Sequence, residues 1–289
     1  MKILITGVSG FVGSRLVEIW KNSDELLPIS IRDEDTIERI NWDGVKSVVH
    51  LGGLAHQANS MPPKRYFEVN EELTIRLAAQ AKANGVRQFL FLSTIKVYGD
   101  DIKFMTETTP CQPTNPYGQS KLNAEERLME ISDSSFMASV IRSPLVVGPG
   151  AKGNLLMLMR KLSRSFPLPL LGIQNRRSMV ALDNLIQMIR SLVERPVVGV
   201  FLAAEKEPIS TSQLAVSIRN EMRYGGSRLI KMPFAFRKIL RAIKPGTYSR
   251  LFGDSEIDNS STVENLDFKP VISLGEAINQ MVRKFLSQS

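Results

Sequence analysis

"ITGVSGFVGSRL", residues 5–16, decides the fold. The apolar run "KILIT" (2–6) before it reads as a strand, and "FVGSRLVEIWKN" (11–22) after the second glycine reads as a helix. Gly7, Gly10 and Gly13 fill the turn between them. The first glycine allows the tight turn, the second lets a pyrophosphate approach the backbone, and the third lets the helix pack close to the strand. The helix N-terminus then faces the phosphates. The candidate contacts of this cradle with a dinucleotide are Gly7, Ser9, Gly10, Phe11, Val12 and Gly13.

Outward from that turn, short apolar runs alternate with helical patterns. "LPISI" (27–31), "SVVHL" (47–51), "QFLFLS" (88–93) and "ASVIRS" (138–143) read as strands; 66–85 and 115–131 read as helices. Near-continuous apolar strands separated by helices predict a parallel sheet covered on both faces. The expected class is α/β: a Rossmann doubly wound parallel sheet over residues 1–150, completed by segments near 178–205. A smaller C-terminal α/β lobe, mainly 151–289 and interleaved with the sheet, would bind the substrate.

The chain has 289 residues and a formal net charge of +8, which suits an anionic ligand such as a nucleotide. No zinc-finger pattern or aromatic-interleaved basic run points to nucleic acid. One cysteine, Cys111, excludes an internal disulfide, and two histidines, His50 and His56, leave little for a metal site. The N-terminal apolar run is short for a signal peptide, and no run reaches a membrane span. The expectation is a cytoplasmic protein without stable membrane insertion.

The second strand runs into "RDED". Arg32 at its tip would accommodate the 2′-phosphate of NADP, which favours NADP(H) and keeps NAD(H) possible; Asp33 is the alternative, reading the ribose of NAD. "HLGG" (50–53) follows the third strand, so Leu51, Gly52 and Gly53 would let the backbone approach the cofactor. His56 beyond them is a weak candidate for a catalytic base. In "FLSTIKVYG" (91–99), Ser93 and Thr94 stand at the carboxyl end of a strand, where doubly wound sheets bind ligands. "NPYGQSK" (115–121) opens a helix with Asn115 as cap and Pro116 in the first turn, placing Tyr117 and Lys121 one turn apart on one face. A nearby cation and the positive helix end both favour an ionised phenol. Thr94, Tyr117 and Lys121 thus make a chemical set: a phenol to carry the proton, an ammonium to tune it and hold the ribose, and a hydroxyl to orient the reacting oxygen.

"TGVSGFVG", "STIKVYG", "NPYGQSK" and "IRSPLVVGPG" together resemble the extended short-chain dehydrogenases, the NAD-dependent epimerase/dehydratase family of nucleotide-sugar enzymes. "IDNSSTVENLDFKPVISLGEAI" (257–278) is similar to the family's usual close. The resemblance implies a seven-stranded core, catalytic roles for Thr94, Tyr117 and Lys121, cofactor contacts from Ser93 and Pro144, and a nucleotide-sugar substrate, UDP-linked, held by Thr94, Asn154 and Arg176. It further implies a homodimer through the Tyr117 helix and the helix 66–85. Two positions depart from the family: Ser143 separates Arg142 from Pro144, and Val147 replaces a tyrosine. "GPGAKGNLLMLMRKL" (148–162) and the segment 167–185 are similar to a bacterial subgroup that includes UDP-4-keto-6-deoxy-N-acetylhexosamine 4-reductases of O-antigen synthesis. Reduction of a 4-keto sugar by NADPH is therefore the leading expectation. A 4-epimerase with tightly bound NAD is the alternative, and a non-catalytic dinucleotide sensor is a third reading. Dehydration is disfavoured, because Ile95 and Lys96 follow Thr94 where dehydratases carry an Asp-Glu pair.

One stretch stands outside this scheme. In "FRKILRAIK" (236–244), Phe236, Ile239, Leu240 and Ile243 share one helical face, and Arg237, Lys238, Arg241 and Lys244 take the rest. The expectation is that the apolar face packs on the substrate lobe, with Phe236 and Leu240 mostly buried. The alternative is a basic amphipathic helix lying on an anionic membrane.

Overall fold

A computed structural model describes residues 1–31, 33–54, 61–164, 166–222 and 227–288. The chain enters through β1 (Lys2–Thr6), α1 (Phe11–Trp20), β2 (Glu25–Ile29), a short α2 (Glu34–Glu38) and β3 (Val45–His50). The helical stretch that follows is α3 (Pro63–Phe67), a π-helical turn (Glu68–Glu72) and α4 (Leu73–Ala83). β4 (Gln88–Thr94) leads through a 3₁₀ turn (Ile95–Tyr98) and the two-residue β5 (Phe104–Met105) to α5 (Pro116–Ile131) and β6 (Met137–Ser143). Asn115 caps α5 as its sequence predicts: its Oδ1 accepts from Gly118 N at 2.9 Å, with Pro116 at the first helical position.

The second half contains β7 (Leu145–Val147), α6 (Gly153–Leu162), β8 (Leu168–Leu171), β9 (Met179–Ala181), α7 (Leu182–Glu194) and β10 (Gly199–Leu202). It closes with α8 (Thr211–Glu221), β11 (Leu229–Lys231), α9 (Phe234–Ile243), α10 (Pro245–Phe252), β12 (Glu256–Ile257), α11 (Ser260–Leu266) and α12 (Leu274–Leu286).

β10, β6, β4, β3, β1 and β2 form, in that order, one parallel sheet. One face buries Leu16, Trp20, Leu185, Ile189 and Leu192 from α1 and α7. The other buries Ile37, Leu77, Ala81, Ala124 and Leu128 from α2, α4 and α5. A third apolar cluster, with Leu155, Met159, Leu214, Ile218 and Met281, joins α6, α8 and α12 in the C-terminal half. The fold is thus the doubly wound α/β class the strand pattern predicts.

Three expectations need correction. The sheet has six strands among the described residues, not seven. Only residues 30–44 separate β2 from β3, and they hold one short helix; a further strand with its crossover needs more chain. The second strand also lies earlier than read, at Glu25–Ile29, so it ends before Arg32. Arg32 itself lies outside the described residues, as does His56. Finally, no residue of α9 is buried: Phe236 is 64% exposed and Leu240 only half-buried.

The strand order reverses between β1 and its neighbours β2 and β3, and such a switch point opens a crevice at the carboxyl ends of the strands. Gly7 lies there with φ +70°, a left-handed conformation that favours glycine. A Cβ on Gly13 would stand 2.2 Å from Gly7 O, so α1 and the β1 turn touch backbone to backbone. We expect Gly13→Ala to destabilise the fold at or above the usual overpacking cost of about 1–3 kcal/mol. Gly10→Ala, whose Cβ would meet Gly7 O at 3.0 Å, should cost less. Denaturant midpoints of the two variants test that order.

Candidate active site

The crevice collects residues singled out in the sequence from four strand ends and two helix starts. Gly7, Ser9 and Gly10 form the turn after β1, with Gly10 N donating to Gly7 O at 2.9 Å; Phe11, Val12 and Gly13 open α1. Leu51, Gly52 and Gly53 follow β3, where a Cβ on Gly53 would stand 3.4 Å from Lys121 Nζ. Thr94 ends β4, and Tyr117 and Lys121 stand in the first two turns of α5. Pro144 is buried between β6 and β7.

Tyr117 shares a hydrogen bond with the Thr94 side chain, and its ring meets Tyr66 edge-on at 6.2 Å between centroids. Its phenol is not shifted toward ionisation. Burial raises its pKa above the usual value, against the opposing Thr94 bond, and Tyr66 adds to the rise. Desolvation of the phenolate, which the sequence does not show, decides the direction. Lys121 is the strongly perturbed partner: burial brings its pKa down to about 7, with Glu125 pulling the other way. Its Nζ donates to Leu92 O at 2.9 Å and lies 4.1 Å from the centroid of Phe91.

Behind this pair lies a buried charge network that the sequence pattern did not reveal. Ser93 donates to Glu125 rather than facing the crevice, Glu125 accepts from Arg142 Nε and Nη2 at 3.0 and 2.7 Å, and Arg142 Nη1 reaches Tyr98 OH at 2.8 Å. Side chains of both Glu125 and Arg142 are almost fully enclosed. Glu125 stands at i+4 from Lys121, a spacing that could have marked it; Arg142 reads only as a strand residue.

A second buried chain runs from the post-β3 loop to α5. Gly52 N donates to Thr6 Oγ1 at 3.1 Å, Thr6 Oγ1 lies 2.7 Å from His50 Nδ1, and His50 Nε2 lies 2.9 Å from Thr74 Oγ1. Because Thr74 gives its own proton to Asn70 O at 2.8 Å, it must accept from His50. Thr6 Oγ1 already accepts from Gly52 N, so its own proton goes to Nδ1, and the buried imidazole is neutral and protonated on Nε2. Asn70, fully buried in the π-helical turn, accepts from Leu54 N at 2.7 Å and donates to Ser120 Oγ at 3.2 Å; Ser120 in turn donates to Tyr117 O at 2.9 Å. A residue read as part of an unbroken helix thus ties the loop to the Tyr117 helix.

The expected substrate contacts lie in the other half. Asn154 is exposed in the first turn of α6. Arg176 borders a cavity of about 480 Å³ lined also by Gly172, Asn175, Pro208, Ser210 and Gln213. Its guanidinium makes a bidentate pair with Glu256, both contacts at 2.6 Å, so gripping an anion requires exchange of that partner. Asp33, the alternative ribose reader, caps α2: its Oδ1 accepts from Thr36 N at 2.9 Å. Among the described residues no cluster of His, Cys, Asp and Glu could hold a metal, and no helix is long and apolar enough to cross a membrane.

His50 carries a stability signature. Burial, with the Lys121 charge, lowers its pKa to about 3. Below the ordinary histidine value the unfolded chain takes up a proton that the folded chain refuses. The contribution is complete above pH 6.5 and shrinks as pH falls toward 3. We expect stability to drop by about 2 kcal/mol between pH 7 and pH 5 on this account, and His50→Gln to flatten that slope in denaturant titrations.

The family model described as "NAD dependent epimerase/dehydratase family" matches residues 3–201. The chain is 32% identical to a UDP-glucose 4-epimerase of Vibrio cholerae, over 98% of this chain and 95% of that protein. It is 27% identical to the N-acetyl-alpha-D-glucosaminyl-diphospho-ditrans,octacis-undecaprenol 4-epimerase of Escherichia coli O157:H7, over 76% of this chain and 72% of that one. Among solved structures, the UDP-glucose 4-epimerase of Thermotoga maritima, determined with UDP-glucose, superimposes with a TM-score of 0.81 at 21% identity, over 100% of this chain and 99% of that one. With the glycine turn, the Tyr117–Lys121 pair and the parallel sheet in place, the family match over residues 3–201 leads to one conclusion: this chain is an enzyme of the NAD-dependent epimerase/dehydratase family, whose members act on nucleotide sugars.

Proposed function

We propose that the chain moves hydride and proton at C4 of a UDP-linked hexose, and that the net reaction is 4-epimerisation. The observation that carries the reading is the Thr94–Tyr117 hydrogen bond beside a buried Lys121 at the mouth of the switch-point crevice. The names of the two relatives, both 4-epimerases, favour epimerisation over one-way reduction. Reduction of a 4-keto-6-deoxy sugar by NADPH is the second reading. It uses the same residues, and the resemblance of residues 148–185 to 4-reductases supports it.

A nicotinamide dinucleotide suits the chemistry of this turn: Gly7 at φ +70° and Gly13, which has no room for a Cβ beside Gly7 O, hold the β1 turn tight against α1 and so set the helix N-terminus where a pyrophosphate would be favoured. Gly7, Ser9, Gly10, Phe11, Val12 and Gly13 would hold its pyrophosphate, and Leu51, Gly52, Gly53, Pro144 and Lys121 its nicotinamide half. When bound, the nicotinamide accepts or supplies the C4 hydride. Tyr117 takes the proton from the C4 hydroxyl, or returns it to the C4 oxygen, while Thr94 orients that oxygen. A phenol with a raised pKa is protonated at neutral pH, which suits donation. A charged Lys121 close by lowers the cost of forming the phenolate. Asn154 and Arg176 would take the nucleotide diphosphate, with Arg176 leaving Glu256 to do so.

Tyr117→Phe should retain dinucleotide binding and lose about 10²–10⁴-fold in turnover, the usual worth of a positioned acid–base group. Near-normal turnover would remove Tyr117 from the mechanism. Interconversion of UDP-hexose 4-epimers without added cofactor, by protein that purifies with NAD bound, marks an epimerase; stoichiometric NADPH oxidation with a UDP-4-keto-6-deoxyhexose marks a reductase. Arg176→Ala should raise KM for the nucleotide sugar and leave kcat little changed. An unchanged KM would mean that Arg176 serves only its pair with Glu256.

A further inference from the structure

α9 leaves most of its apolar face uncovered. Its apolar residues Phe236, Ile239, Leu240 and Ile243 fall on one face, and its cations on the other. An amphipathic helix ordinarily turns the apolar face inward. Here only Leu240 of that face is half-buried, and two cations of the other side, Arg237 and Arg241, lean on α10. The Arg237 guanidinium lies over the rings of Phe252 and Tyr248, at 4.7 and 5.8 Å, and Arg241 lies 5.7 Å from the Tyr248 centroid. Tyr248 and Phe252 stack on each other at 5.0 Å, making α10 an aromatic platform for those cations. Apart from half-buried Leu240, the apolar face is left to solvent: Phe236 is 64% exposed, Ile239 51% and Ile243 70%.

Charge identifies what covers that face. From Ser227 to Gly253 the chain carries Arg228, Lys231, Arg237, Lys238, Arg241, Lys244 and Arg250, and no aspartate or glutamate. We propose that α9 docks on an anionic phospholipid surface, apolar side chains among the acyl chains and Lys238, Lys244 and their neighbours at the headgroups. A short helix with a strong apolar face and flanking Lys/Arg is the geometry of an interfacial, non-spanning contact. A second copy of this chain is the poorer occupant. A two-fold pairing through α9 would bring two such cation sets together with no carboxylate in the segment to neutralise them. Nucleic acid would match the charge and leave the apolar face wet. The platform also connects to the candidate substrate cavity, since Asn175 Nδ2 donates to Leu251 O at 3.3 Å and to Gly253 O at 2.9 Å.

Co-sedimentation of the full chain with vesicles at physiological ionic strength tests this. The chain should pellet with phosphatidylcholine vesicles that contain phosphatidylglycerol and stay in solution with phosphatidylcholine alone. Each interfacial Lys or Arg contributes about fivefold to partitioning, so Lys238→Glu with Lys244→Glu should cut it about tenfold or more. Phe236→Ser with Ile243→Ser should abolish it. Both pairs are built on exposed side chains, so thermal melts should match the parent and exclude unfolding as the cause. In a Phe236→Trp variant, quenching of the added fluorescence by brominated acyl chains would report insertion directly. Absence of phosphatidylglycerol-dependent pelleting, or pelleting unaffected by either pair, overturns the proposal. So does a solution dimer that the Phe236→Ser/Ile243→Ser pair dissolves while vesicles bind nothing, or binding to homopolymeric RNA in place of vesicles.

Discussion

Burying an ammonium, a carboxylate and a guanidinium between α5 and the carboxyl ends of β4 and β6 is the constraint on which this site depends. Lys121, Glu125 and Arg142 are all withdrawn from water, and each would be costly alone. Together they are tolerable because every donor has an acceptor: Leu92 O for the lysine, Glu125 for the arginine, Ser93 as a further donor to the glutamate. No buried side-chain nitrogen or oxygen among the described residues lacks a partner. That satisfaction fixes α5 against β4 and β6. It thereby sets where Tyr117 meets Thr94. Removing any one member would strand a charge in a dry interior, a change that typically costs about 3–5 kcal/mol.

Much of this was legible in the residues. The glycine spacing 7–10–13, the Asn115 cap and the apolar strands are local signals, since each depends on conformations available to a few neighbouring residues. The structure reproduces them with shifts of a residue or two at the ends. The π-helical turn was not legible. Asn70 sits in a helical run with ordinary periodicity, and only its bonds to Leu54 and Ser120, distant in sequence, make the extra residue of that turn worthwhile. The direction of the Tyr117 shift failed for a related reason: the sequence shows a neighbouring cation but not the desolvation that decides it. For α9 the periodicity was right and the inference from it wrong. An apolar stripe says that a face wants covering, and it does not say what will cover it.

The two candidate regions differ in how finished they are. Around Tyr117 the polar groups are already paired and oriented, so little has to reorganise when a ligand arrives. Around Arg176 the guanidinium is engaged with Glu256 on a partly exposed surface, so the substrate contact proposed for it would involve a swap of partners. On the proposed reading, chemistry would be built on the sheet and recognition on surface pairs, a division that would let substrate preference change without disturbing the reacting groups.

The sheet's shortness has a colloidal consequence. With no strand beyond it among the described residues, β2 is an edge, and an edge offers unpaired backbone groups to any other extended chain. Its sequence, Glu25-Leu26-Leu27-Pro28-Ile29, is otherwise a fair template for such pairing. Pro28 removes a backbone donor from the middle of the strand and confines it to edge use. At the opposite edge, the N–H of Leu202 in β10 is taken by Thr262 of α11 at 2.8 Å. One border is thus interrupted by an imino acid and the other occupied by a hydroxyl. Both make the six-stranded sheet a poor seed for edge-to-edge aggregation at the concentrations at which an enzyme accumulates in a cell.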